Sequence, residues 1–307
     1  MQENIGNTKP LVSVCCITYN HAPFIRQSIE GMLMQKTTFP IEILIHDDCS
    51  TDGTTEIVKE YAAKYPDLIF PLYEEVNQYQ NGKAGEIDFY NYKRACGKYI
   101  AYCEGDDYWT DPLKLQKQVE FMEAHEEYSI CFHEVSVYDT FREEFQSQQK
   151  YAMEGDFDIT TDMFVNGKTR IGQPLSMVFR KDKYDYEWQK HYRLYCDSME
   201  IFHLLRVGKG RFMRFIGGQY NLQKNGVSAT NTEVKRSWED IEDYMEMWNY
   251  THDPVVLEKG YASFLWRLDV CKRDGMNREY WRTVWIALMN NTKFGMKVLK
   301  KAIRRSL

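Results

Sequence analysis

The first 130 residues alternate continuous apolar runs with segments spaced like one face of a helix. Leu11–Thr18 (LVSVCCIT) is largely apolar and is followed by the turn signals Asn20 and Pro23, which predicts a strand buried on both faces. Phe24, Ile25, Ile29, Met32 and Leu33 then recur at helical spacing. Ile41–His46, Leu68–Tyr73 and Lys98–Cys103 predict three more strands. Between the second and third, TDGTTEIVKEYAAKYP predicts a helix, with Ser50, Thr51 and Asp52 as capping candidates and Pro66 beyond its end. A further helix is expected after the fourth strand, with Asp111 as N-cap, Pro112 at its first position and Leu115, Val119 and Met122 on its apolar face. Such alternation with short connections predicts an α/β fold whose mostly parallel sheet is covered on both sides.

Beyond residue 128 the pattern is less regular. YSICFHEVSVYD and IGQPLSMVFRK predict buried strands, CDSMEIFHLLRVGKG a helix, and RFMRFIGGQYNL a strand or hairpin arm. From Glu233 the spacing is helical, with Trp238, Ile241, Tyr244, Met245 and Trp248 on one face.

Composition narrows the class. A hydrophobic fraction of 43% with 15% aromatic residues supports a sizeable core. A net charge of −6 gives no reason to expect nucleic acid as a partner. The polar start MQENIGNTKP lacks the apolar segment of a secretory leader, and no run reaches the length of a membrane span, so a cytoplasmic location is expected. Eight scattered cysteines form no CxxC pair; Cys15, Cys16, Cys49, Cys96 and Cys103 fall in or beside apolar runs and read as reduced core thiols.

Open parallel sheets bind ligands beyond the carboxyl ends of their strands. Those ends carry Thr18, Tyr19 and Asn20; Asp47 and Asp48; and Glu104, Asp106 and Asp107. Any one segment alone reads as a solvated turn, but converging acids repel one another unless a cation or hydrogen-bond donor intervenes. An EF-hand starting at Asp48 fails, because Lys59 stands where a bidentate Glu is required. No GxxxxGK[ST] and no GxGxxG after the first strand occur, which removes a P-loop and a dinucleotide fingerprint. A nucleotide site built from acids remains. In it one carboxylate accepts from a base edge and others hold Mg²⁺ or Mn²⁺ against a diphosphate.

VSVCCITYNHAPFIRQSIEGMLMQ, IEILIHDDCSTDGTTEIV and GKYIAYCEGDDYWTDPLKLQKQ resemble, in order and spacing, the consecutive signatures of family 2 glycosyltransferases. The resemblance is strong over about residues 10–120 and continues to about residue 228. It implies an inverting enzyme with the single Rossmann-like A-type glycosyltransferase fold. Residues 1–128 would then be the nucleotide-sugar half, 129–228 the acceptor half, and 229–307 a helical extension. It implies a UDP-sugar as donor, a glycan or lipid-linked hydroxyl as acceptor, and a role in cell-surface polysaccharide synthesis. Thr18, Tyr19, Asn20, Asp48 and Asp106 take nucleotide-binding roles. The family's Asp-x-Asp falls on Glu104-Gly105-Asp106, so Glu104, Asp106 and the adjacent Asp107 are the metal candidates. Tyr108 and Trp109 either wall the sugar site or pack beneath the loop.

The resemblance places the general base at Asp197, where the family has an Asp opening a helix. The alternative is that Asp197 is an N-cap with Glu200 as its capping-box partner. Asp185, Glu187 and Glu200 are the other carboxylates in reach of the role. Many relatives carry Tyr-Arg-x-His after that helix, whereas this chain has Asn221 and Gln223 at the Arg and His positions. Either Lys224 or another group compensates, or metal binding is weaker, or the chain is a non-catalytic sugar-nucleotide binder. Finally, residues 280–307 hold seven Lys or Arg and no acid. Met296, Leu299, Ala302 and Ile303 share one helical face there, and Lys297, Lys300, Lys301 and Arg304 the other. This predicts either contact with the anionic inner face of a cell membrane or a terminal helix packed on its own domain.

Overall fold

The computed structural model describes residues 9–83, 87–146, 153–167, 172–192, 196–223, 232–290 and 292–306. The chain forms two compact units, Met1–Tyr186 with Leu194–Gln223, and Glu187–Arg193 with Lys224–Leu307.

The first unit is built on one mixed sheet. Its elements in chain order are β1 (Val12–Thr18), α1 (Ile25–Leu33), β2 (Ile41–Asp47), α2 (Thr54–Lys64), β3 (Ile69–Tyr73), α3 (Ile87–Arg94), β4 (Tyr99–Tyr102), β5 (Tyr108–Trp109), α4 (Lys114–Ala124), β6 (Tyr128–Asp139), β7 (Glu144–Phe145), β8 (Phe157–Ile159), α5 (Thr161–Asn166), β9 (Val178–Arg180), α6 (Asp197–Val207) and β10 (Lys209–Leu222). The strand order is β3-β2-β1-β4-β9-β6-β10-β5. The first four strands are parallel, as their apolar runs predict; β9 then pairs antiparallel with both β4 and β6. Val12, Val14 and Cys16 of β1 are fully buried with Ile25, Ile29 and Met32 of α1 and Leu115, Val119 and Met122 of α4. Buried Arg180 holds the end of α4, donating to the carbonyls of Met122 and His125 and, at 2.8 Å, to that of Tyr128.

Two expectations shift. Helix α4 starts at Lys114 rather than Pro112, because Asp111 forms a separate turn ahead of it: its carboxylate accepts the Leu113 N–H at 2.9 Å and its carbonyl the Lys114 N–H at 3.1 Å. Cys15, Cys16 and Cys103 are core residues, whereas Cys49 is half-buried and Cys96 exposed.

The second unit is helical: α7 (Glu233–Thr251), α8 (Pro254–Arg273), α9 (Asn277–Asn290) and α10 (Thr292–Ser306). Thr232 caps α7 and Asp253 caps α8 through their side chains, with Pro254 at the first position of α8. Ile241, Met245, Phe264, Leu268, Val284 and Val298 form its core. Among the described residues no helix is long and apolar enough to cross a membrane.

Candidate active site

Register brings the acids together. Thr18 of β1 lies opposite Asp47 of β2, and Cys15 opposite Tyr102 of β4, so three strand ends open on one edge of the sheet. The two acids after β2 are not equivalent. Asp47 is consumed by its own turn, accepting from Ser50 N–H at 3.2 Å, Ser50 Oγ at 2.5 Å and the Thr55 hydroxyl. Asp48 reaches further along the chain: its Oδ1 accepts from the Gln78 N–H at 2.6 Å and its Oδ2 from the Tyr79 N–H at 3.1 Å. Each oxygen of Asp48 keeps one lone pair for a ligand. Asn20, at φ 55°, ties the first loop to the second, accepting from the Thr51 N–H at 2.8 Å. Tyr19 beside it is 36% exposed.

The turn after β4 carries the charge. Glu104, Asp106 and Asp107 each place a carboxylate oxygen within 4.8 Å of the others. Gly105 lets this turn sit on the end of β1: its N–H donates to the Ile17 carbonyl at 2.9 Å, and a Cβ there would lie 2.6 Å from Thr18 Oγ1. Asp107 is buried, and its Oδ1 accepts from the Asn221 N–H at 2.8 Å. Its Oδ2 and the Thr18 hydroxyl are both buried without a hydrogen-bond partner among the described residues. Burial pushes the Asp107 carboxyl well above the usual range, and Asp106 and Glu104 push it further against the single Asn221 hydrogen bond. A buried, unpartnered carboxylate oxygen beside two more acids is costly until positive charge arrives. The donor set is all oxygen, which suits Mg²⁺ or Mn²⁺. The residues present therefore fit a hard divalent cation.

The residues at the Arg and His positions of the family motif both face this turn. Asn221 Nδ2 donates to the Asp106 carbonyl at 2.6 Å, and Gln223 Nε2 to Asp106 Oδ2 at the same distance. Lys224 lies outside the described residues. His21, which the sequence reading missed, places Nε2 3.9 Å from Asp106 Oδ2. The Gln78, Tyr79 and His21 contacts cross about 30 to 85 positions of chain, and no local pattern announces them.

The two aromatics after the acids divide their roles. Trp109 is buried, and its indole N–H donates to the Leu175 carbonyl at 2.8 Å. Tyr108 instead lines a cavity of about 360 Å³ with Phe24, Tyr138, Phe145 and Asn221. Beneath Trp109 the Lys114 ammonium lies 3.9 Å from the ring centroid, fully buried and without a hydrogen-bond partner among the described residues. Burial lowers its pKa from 10.5 to about 7. The unfolded chain then binds more protons than the folded one between those two values, so wild-type stability rises with pH across that window. Lys114→Met is expected to stabilise the fold by about 2–3 kcal/mol at neutral pH, allowing for the lost ring contact. Urea midpoints should show the gain shrinking by about 2 kcal/mol towards pH 9; a gain independent of pH would refute the assignment.

Asp197 opens α6, as expected, but it is not the cap: Cys196 occupies that position. Glu200 is buried and its Oε2 accepts from the Tyr92 hydroxyl at 3.5 Å. Asp185 is exposed, and Glu187, which belongs to the second unit, pairs with Lys190 at 2.7 Å. Thr18, Asp48, Glu104, Asp106 and Asp107 thus share the β1–β2–β4 edge, whereas these four carboxylates stand on other elements.

Among solved structures, S. aureus TarS with UDP-GlcNAc superposes with a TM-score of 0.63 at 16% identity, covering 89% of this chain and 79% of that one. The mannosyltransferase PcManGT of Pyrobaculum calidifontis, with GDP-Man and Mn²⁺, gives 0.57 at 13%, covering 98% and 81%. They show that the fold is the A-type glycosyltransferase fold. The Escherichia coli UDP-Glc:alpha-D-GlcNAc-diphosphoundecaprenol beta-1,3-glucosyltransferase WfaP is 37% identical over 114 residues, which is 37% of this chain and 42% of that protein. The chain spans 35% to 46% of the length of several curated relatives it matches. The family model described as glycosyl transferase family 2 matches residues 13–187, more than half of the chain. The chain belongs to glycosyltransferase family 2.

Proposed function

We propose that this protein moves one sugar from a nucleoside diphosphate donor, a UDP-sugar, to a hydroxyl with inversion, in the synthesis of a cell-surface polysaccharide at the cytoplasmic face of the membrane. The observation that carries the reading is the Glu104–Asp106–Asp107 turn, with its unpartnered Asp107 oxygen, set beside Thr18 and Asp48 at the strand ends. Bound Mg²⁺ or Mn²⁺ supplies the charge that neutralises a diphosphate leaving group. Asp48 accepts the N–H of the base, and Thr18, Tyr19 and Asn20 shape the nucleoside site. Asp106 and Asp107 hold the diphosphate side. Asp197 takes the proton of the acceptor hydroxyl as that oxygen attacks the anomeric carbon and the bond to the β-phosphate oxygen breaks. The aromatic cavity, lined by Tyr108, Tyr138 and Phe145, takes the acceptor, and Asn221 joins that wall to the Asp106 carbonyl. Support for a nucleotide-sugar donor comes from the fold shared with proteins solved with UDP-GlcNAc and GDP-Man, and for a lipid-linked acceptor from the substrate that WfaP's name gives.

The deciding experiment is a panel of nucleotide sugars with and without Mn²⁺, reading released nucleoside diphosphate and calorimetric affinity together. Turnover of a UDP-sugar that requires the cation is expected; failure to bind any nucleotide sugar defeats the reading.

One observation favours the second reading, a binder that does not turn over. Gln223 Nε2 donates to a carboxylate oxygen of Asp106, one of the proposed metal residues, and sets a neutral amide where the family motif has its His. Gln223→His is expected to tighten Mn²⁺ binding about tenfold by calorimetry and to raise kcat. Tighter metal binding without any turnover would favour the binder.

A further inference from the structure

We propose that the outer face of the α9–α10 hairpin is a docking surface for an anionic lipid bilayer. The apolar face expected of α10 is divided by packing. Phe294, Val298 and Ala302 are buried in the helical core and Leu299 is half-buried, which leaves Met296 44% and Ile303 45% exposed. A second stripe, absent from the sequence reading, lies on α9, where Trp281, Trp285 and Met289 are 47%, 60% and 67% exposed. Their spacing of four residues puts them on one side of the helix.

The two stripes flank the same seam. A Cβ at Gly295 would lie 2.3 Å from the Leu288 Cα, and the Tyr280 hydroxyl donates to the Ala302 carbonyl at 3.0 Å, so the helices run antiparallel in close contact. At about 100° per residue, Trp281, Trp285 and Met289 follow Leu288 outward on one side of that contact. Leu299, Ile303 and Met296 follow Gly295 and Ala302 outward on the other. Two indoles, two methionines and an isoleucine therefore form one outward-facing apolar ridge.

Charge decides what covers it. Lys297, Lys300, Lys301 and Arg304 continue round α10 from the ridge, all exposed and without an ion-pair partner among the described residues. Residues 280–307 carry seven cations and no acid, so the other 279 residues carry −13 against the net −6 of the chain. Tryptophan at the boundary between headgroup and acyl chain, with Lys and Arg beside it, matches an anionic bilayer. A second copy of this chain would instead bring the same cations face to face. The surface gains its purpose from the proposed lipid-linked acceptor and would hold the enzyme where that acceptor resides.

The test is sedimentation of the full chain with vesicles of phosphatidylcholine alone, or of equal parts phosphatidylcholine and phosphatidylglycerol. The expected result is partition onto the anionic vesicles at least about tenfold above the neutral ones, weakened by molar salt. Trp281→Ser with Trp285→Ser is expected to lower that partition about tenfold. Lys300→Glu with Lys301→Glu, at positions too exposed to affect folding, is expected to do the same. Both pairs keep wild-type turnover of a water-soluble acceptor. Equal sedimentation with the two vesicles overturns the proposal, as does wild-type partition by either double variant. Self-association abolished by the tryptophan changes would also overturn it, making the ridge an interface between copies. Vesicle binding is read without donor or acceptor. Its failure leaves sugar transfer standing, and a chain that binds vesicles but no nucleotide sugar sinks only the transfer reading.

Discussion

Asp107→Asn is expected to lower turnover about a thousandfold, close to 4 kcal/mol of transition-state stabilisation, while making the metal-free protein more stable. Both halves follow from one side chain. Asp107 is buried, with one oxygen bonded to the Asn221 N–H and the other without a partner among the described residues. Burial and the charges of Asp106 and Asp107's other neighbour, Glu104, disfavour its ionised form. An asparagine of the same shape can keep the Asn221 hydrogen bond through its carbonyl oxygen and removes the charge, so the metal-free fold gains stability. The same change removes the least exposed carboxylate of the proposed metal site. Thermal denaturation with and without Mn²⁺ separates the two effects: the cation should raise the wild-type midpoint clearly and that of the variant little. A variant that is both fully active and equally stabilised by Mn²⁺ would remove Asp107 from the site. Trading stability for a functional charge cluster is common at active sites.

How much of this was legible in the sequence depends on range. The apolar runs of β1, β2 and β4 and the acids that end them are local features, and the rule that ligands bind beyond parallel strand ends places Thr18, Asp48 and Asp106 on one edge. Contacts that complete the edge are long-range. Asp48 is held by amides about thirty residues away and Asp106 by Gln223 across 117 positions, and no period in the sequence encodes either. The first turn before α4 shows a different limit. Asp-Pro does mark the boundary, but Asp111 can bond the amide two residues on as well as cap a helix, and here it also holds the Lys117 ammonium at 2.5 Å. In α10 the helical period identified an amphipathic helix correctly. Which apolar residues it buries depends on the neighbouring helices: Phe294 packs on Phe264 and the Ala302 carbonyl accepts from the Tyr280 hydroxyl, while Met296 stays 44% exposed.

Asp197→Asn is expected to lower kcat by about a thousandfold, with donor affinity and Mn²⁺ affinity unchanged. That split separates a base from a structural acid. Were Asp197 a helix cap, its loss would act through stability; but Cys196 holds the cap position, and a carboxylate in the first turn contributes only about 0.5–1 kcal/mol through the helix dipole. The comparison variant is Glu200→Gln, one turn on in the same helix. Glu200 is buried against the Tyr92 hydroxyl, so its loss should lower the denaturation midpoint while leaving kcat within a few-fold. Opposite results for the two variants would move the base to Glu200. No effect of either on turnover, with donor binding intact, would leave the acceptor proton without a protein carrier on α6. It would also shift weight to the reading already favoured by Gln223, a fold that binds a sugar nucleotide without transferring its sugar.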